Sequence, residues 1–175
     1  MKDPSTNIFL VPTIALVITI SLFVFFYRKA EDKGMYSWFL MSIAIISFLL
    51  NTIWELAHGP LYQGYQYDFQ HVSICMLASL EDTMVVLILV FLFGVVFRNV
   101  FWANHLTMGK IIALALVGGI GATIVEMWYT SKGDWAYADA MPLIPWLGVG
   151  VSPILQFTIL PIIIFFVSKR VLQIK

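Results

Sequence analysis

Acidic side chains inside long apolar stretches are the most reactive feature of this 175-residue chain. Asp82 falls in the middle of one stretch, and Glu55 and Glu126 fall near the ends of two others. A carboxyl group in such surroundings must be protonated, hydrogen-bonded, solvated or bound to a cation. One that keeps its proton near neutral pH can act as a donor or relay. Asp82, Glu55 and Glu126 are therefore the candidate catalytic residues. Asp82 is the deep donor or relay, and the other two are positioning groups or the second carboxylate. Trp54, Tyr62, Trp128, Trp135, Tyr137 and Gln156 are the candidate substrate-binding residues. The faces of Trp128, Trp135 and Tyr137 would shape a pocket and stabilise a developing cation.

Other chemistries are weaker. Glu55 and His58 form a Glu-x-x-His pair on one helical face, and His71 is a further possible ligand. Di-iron bundles use two copies of that pair, whereas one occurs here, so no metal site is assigned and the cofactor is left unknown. The Gly118-Gly119-Ile120-Gly121 run lies inside an apolar stretch and not in a phosphate-binding loop. No serine sits in a nucleophile elbow. The single cysteine, Cys75, has no partner for an intramolecular disulfide and reads as a packing residue.

Helical spacing sorts the polar residues into stripes, because residues three, four and seven apart share a face. Ser47, Asn51, Glu55 and His58 form one stripe, and His71, Cys75, Ser79 and Asp82 a second. Gly119, Thr123, Glu126 and Thr130 form a third, and Gly148, Ser152 and Gln156 a fourth. Glu81 lies about 100° around the helix from Asp82, at the edge of that face. Ser47, Thr123, Ser152 and Gln156 also fit ordinary hydrogen bonding between helices. Gly118, Gly119, Gly121 and Ala122 read as a small face for close helix packing.

The elements that position these stripes follow from composition. The chain is 61% hydrophobic and 11% charged, against about 25% charged residues in soluble domains. This excludes a soluble globular domain. Ten basic residues balance ten acidic ones, so no basic field exists to hold nucleic acid. About 20 apolar residues cross the hydrocarbon layer as a helix. Five segments qualify, at about 8–27, 36–56, 71–97, 110–129 and 147–167. Strict alternation is missing from all of them, which disfavours a barrel. The expected fold class is all-α, an integral membrane bundle of five transmembrane helices forming a single domain over residues 1–175.

Arg28, Lys29, Lys33, Arg98, Lys110, Lys169, Arg170 and Lys175 fall on one side of a five-span chain, and Lys2 and Lys132 on the other. The excess of positive charge marks the cytoplasmic side. It places the N-terminus outside and the C-terminus in the cytoplasm, most simply in a bacterial cytoplasmic membrane. The first apolar run is too long for a signal-peptide core and reads as a retained helix at the bundle edge. Asp82 then lies about 16 Å deeper than His71, and the acids converge in the outer half. Aromatic residues crowd both outer loops and read as an interfacial belt or as a lid over an outward cavity. Pro153 and Pro161 should kink the fifth helix, and residues 141–150 read as an irregular or re-entrant entry to it.

The chain resembles a group of small, uncharacterised bacterial membrane proteins. The resemblance rests on Trp54-Glu55 followed by Pro60-Leu61-Tyr62, on Glu81-Asp82, and on Glu126-Met127-Trp128. It continues through the Gly133-to-Pro145 stretch, which contains Trp135, Tyr137 and Met141-Pro142, and through Gly148-Val149-Gly150, Pro153 and Gln156. Relatives in that group more often carry Gln at the place of His58. The resemblance implies that Glu55, Asp82, Glu126 and residues 135–145 form one unit, and it brings no activity with it. A fainter likeness, by analogy alone, exists to membrane-bound carotenoid-modifying enzymes.

Three functions are compatible with these residues. The leading expectation is acid–base chemistry on a lipophilic substrate, an isoprenoid or another lipid, in an outward-facing acidic and aromatic cavity. The second is transport of a proton, cation or small solute by a homo-oligomer. The third is a non-catalytic membrane assembly subunit with its aromatic loops as partner surface. Whether the protein is an enzyme is left open at this level.

Overall fold

A computed structural model describes residues 10–173. The expected start of the first span at residue 8, and the positions of Lys2 and Lys175, lie outside the described residues. Five helices account for most of the chain: α1 (Leu10–Lys29), α2 (Lys33–His58), α3 (Phe69–Val96), α4 (Met108–Lys132) and α5 (Val151–Gln173). Each is long and apolar enough to cross a membrane. No strand occurs among the described residues, which contain two isolated β-bridges.

Local chemistry sets the helix ends. The Asp32 carboxylate accepts the Met35 N–H (2.8 Å) to start α2. Asp68 accepts the His71 N–H (2.9 Å) to start α3. Such caps satisfy backbone donors that have no partner inside the helix. Gly133, at φ 70°, closes α4 in the left-handed conformation that glycine tolerates best. Helix α5 starts at Val151, four residues later than the sequence predicts. Pro153 therefore falls in its first turn, where a missing N–H breaks no bond, and the kink expected there has no physical cause. Pro161 lies inside the helix.

Spatial order differs from chain order. Helix α1 packs on α3, α3 on α2, α2 on α5, and α5 on α4. Consecutive helices α3 and α4 share no comparable contact. The segment joining them carries a 3₁₀ turn, Val100–Asn104, that packs against α3 and α5. Its Trp102 is fully buried and donates its indole N–H to Val90 O (2.9 Å). Around it lie Tyr36, Phe39, Ile43, Leu89, Val90 and Phe165, an apolar core at one end of the bundle. That end carries Arg28, Lys29, Lys33, Lys110 and Arg170. Lys29, Lys33, Lys110 and Arg170 each sit over an aromatic ring there. Helix α1 lies at the edge, as its uniform apolarity predicts.

Close packing of α4 on α5 uses two of the glycines expected to do so. A Cβ at Gly118 would stand 2.1 Å from Phe157 O, and one at Gly119 would stand 2.9 Å from Thr158 Oγ1. Gly121 has nothing within 4 Å and takes no part.

Candidate functional site

The opposite end of the bundle, where α2 meets α3 and α4 meets α5, holds the polar stripes. Helical Cβ atoms tilt toward the N-terminus of their own helix. Glu55, three residues before the end of α2, therefore leans into the bundle. Asp82 and Gln156 sit on α3 and α5, antiparallel to α2, and lean toward that end. Side chains starting at different depths meet for this reason.

Gln156 is the hub. It is buried, and its Nε2 lies 2.8 Å from Asp82 Oδ2, 3.1 Å from Glu55 Oε1 and 3.0 Å from Asn51 Oδ1. A primary amide has two hydrogens to donate, so three acceptors exceed what it supplies. Turned over, its oxygen would face the same three acceptors and donate nothing. Glu55 and Asp82, from α2 and α3, thus meet on one amide nitrogen of α5.

The network extends along α2 in both directions. Toward the core, Asn51 donates to Ser47 O (2.9 Å) and Ser47 Oγ (3.1 Å). Toward the loops, His58 Nε2 lies 3.2 Å from Glu55 Oε1 and its Nδ1 lies 3.0 Å from Ser152 Oγ. Ser79, Thr83 and Thr123 donate to carbonyls of their own helices, so they are satisfied locally. No Lys or Arg pairs with these acids among the described residues. The ion-pair partners are His58 for Glu55 and His71 for Asp68.

Glu126 is the floor of an aromatic lid. It is buried and accepts from Tyr137 Oη and from Trp135 Nε1 (3.3 Å). Trp135 stacks on Tyr129, with ring centroids 4.3 Å apart. Tyr62 meets His58, Trp135 and Tyr137 through ring contacts. Backbone bonds from Gln63 N to Ala136 O and from Ala138 N to Leu61 O, both 2.9 Å, pair the two loops across the site. Burial first, and then the charges of Glu126 and Glu55, push the Tyr62 phenol above its usual range. Burial and the bond to Glu126 do the same at Tyr137. The Tyr137 phenol remains a neutral donor to Glu126. The arrangement is a packed acid cluster under aromatic rings.

Glu55, Asp82, Glu126 and Gln156, each from a different stripe, gather at one end of the bundle, and the loop residues Tyr62, Trp135 and Tyr137 lie over them. Three expected site residues do not join them. Trp128 is more than half exposed, with the Lys132 ammonium 3.8 Å from its ring centroid. It is two residues past Glu126, about 200° around α4, and faces away. Trp54 packs against the apolar core, and its indole N–H is buried without a partner among the described residues. His71 turns to Asp68, with its Nδ1 2.9 Å from Oδ1, and lies beside Tyr65. Glu55 and His58 do meet, yet no group of three His, Cys, Asp or Glu side chains among the described residues is arranged to hold a metal.

Two features escaped the sequence reading. Asp68 caps α3 and orients His71; an Asp three residues before His71, at the start of an apolar run, is a recognisable cap signal. The loop pairing left no comparable signal. A groove of about 390 Å³ between α4 and α5, lined by Leu116, Gly119, Thr123, Ile154 and Thr158, holds none of the acids. The chain matches no family model, no curated protein and no solved structure.

Proposed function

We propose that this protein spans a bilayer, with its acid-bearing end outside, and carries out acid–base chemistry on a lipophilic substrate, an isoprenoid or another lipid. One observation carries the reading: Glu55 and Asp82 are held together on the Gln156 amide, inside a largely apolar bundle, with His58 and no Lys or Arg paired to them among the described residues. A carboxyl group that holds a proton in such surroundings can give it to a substrate and take it back. Asp82 is the donor, Glu55 its partner, and His58 with Ser152 connects the pair toward the loops. Glu126, held by Tyr137 and Trp135, positions the substrate once the lid opens.

The test is the lipid composition of membranes expressing the wild type or Asp82→Asn, read by mass spectrometry, with folding of both checked by thermal unfolding. Losing a general acid should cut conversion about 100-fold or more. A folded Asp82→Asn variant that converts lipid like the wild type would remove Asp82 from the mechanism.

A second reading, proton, cation or small-solute transport by an oligomer, draws on the ladder from His58 through Glu55 and Asn51 to Ser47. That ladder runs about 16 Å along α2. Beyond Ser47 the bundle is filled by Ile43, Phe39 and Trp102, all buried. A polar network that stops at an apolar core suits a catalyst better than a conduit. Proton flux into sealed vesicles containing the purified protein separates the two readings.

A further inference from the structure

The segment leading into α5 is a hairpin, not a helix. Ile144 N–H bonds to Val149 O (2.8 Å), Val151 N–H to Pro142 O (2.8 Å) and Gly148 N–H to Ile144 O (3.1 Å). The chain turns through Trp146 and Gly148, at φ 68° and 65°. Side-chain-bearing residues rarely take that conformation. The tip is apolar. Leu143 and Leu147 are each 47% exposed, and Trp146 is 103% exposed. No charged residue occurs between Ala140 and Val167.

We propose that this tip is a membrane anchor, with Trp146, Leu143 and Leu147 seated at the boundary between lipid headgroups and acyl chains on the acid-bearing side. The anchor rests on the reading of the five helices as membrane spans and is independent of the acid–base chemistry. Other exposed aromatic rings at the same end lie on separate elements: Tyr67 (69%), Phe69 (90%) and Trp128 (54%). Indole and phenol rings collect at that level of a membrane. The tip also has no charge with which to select a protein partner. One indole and two half-exposed leucines offer about 400 Å², half of the roughly 800 Å² per partner in a stable protein interface.

The hairpin base touches the site. A Cβ at Gly150 would stand 2.9 Å from Met141 Sδ and 3.1 Å from the Tyr137 ring. The base thus packs directly on the tyrosine whose hydroxyl serves Glu126. Seating the tip in lipid fixes one wall of the acid site against the leaflet that would deliver a lipophilic molecule.

The experiment is tryptophan quenching in phosphatidylcholine vesicles. Wild type minus Trp146→Phe isolates the Trp146 emission from that of the other five tryptophans. Phosphatidylcholine brominated near the top of the acyl chains should remove most of that component, and iodide in the water should leave it. Quenching by iodide and not by brominated lipid would place the tip in water and overturn the anchor. Protection from both quenchers, lost on diluting the protein in lipid, would assign the tip to a second copy and overturn it equally. Trp146→Cys labelled with a polarity-sensitive probe repeats the measurement, since the one native cysteine, Cys75, is buried. Lipid conversion is not read, so failure of the anchor and failure of the proposed chemistry are separate results.

Discussion

Replacing Gln156 by Leu keeps most of the side-chain volume and removes both amide hydrogens. Asp82, Glu55 and Asn51 then lose the donor they share, at distances of 2.8, 3.1 and 3.0 Å. Side-chain hydrogen bonds inside membrane proteins contribute about 0.6 kcal/mol on average and up to about 1.7. Two hydrogens support two full bonds, so Gln156→Leu should destabilise the bundle by about 1 to 3.5 kcal/mol. Unfolding in mixed micelles by added dodecyl sulfate measures this difference. A double-mutant cycle with Asn51→Leu sharpens it. The pair lies on different helices, 105 residues apart, and should couple by about 0.6 kcal/mol or more. A second cycle with Asp82→Asn should show coupling of the same order. Single-mutant costs that simply add in both cycles, within about 0.3 kcal/mol, would refute the hub.

Helix packing and loop ionisation give two more expectations. Gly118→Ala should destabilise by about 1–3 kcal/mol, because its Cβ would meet backbone at Phe157 and one of the helices must shift. Gly121→Ala meets open space and should be neutral or stabilising by up to about 1 kcal/mol, so the Gly118→Ala unfolding midpoint should fall and the Gly121→Ala midpoint should not. Burial, and then Cys75, push the Tyr65 phenol up to about 12. Its contribution to stability is whole below the ordinary value of 10.0 and is lost as pH rises through about 12. Tyr65→Phe should flatten that alkaline loss, read as the unfolding midpoint against pH. An unchanged alkaline slope would mean that another group causes it.

Much of the site was legible as stripes. Ser47, Asn51, Glu55 and His58 occupy one buried or half-buried face of α2, as their spacing of four, four and three requires. Cys75, Ser79 and Asp82 do the same on α3. Trp128 and His71 show where such reading stops. Each belongs to a type and depth that suited the pocket. An angle of about 200° from Glu126 turned the first outward, and a nearer carboxylate, Asp68, took the second. Gln156 was read both as a packing residue and as a binding residue. Its role as the shared donor depends on which helices border α5, and periodicity along α5 carries no information about its neighbours.

Composition and spacing alone determined that five apolar helices form, that their basic ends gather on one side, and that the acids lie toward the other. These are local consequences of chain length, hydropathy and the 3.6-residue turn. Tertiary structure decided that α2 stands between α3 and α5, so that Glu55, Asp82 and Gln156 touch while α4 supplies Glu126 through the loops. It also decided that residues 141–150 fold as a hairpin with Trp146 at its tip. Helix order is set by how faces from distant parts of the chain fit one another, as Gly118 against Phe157 does, and no pattern within a single segment encodes that fit.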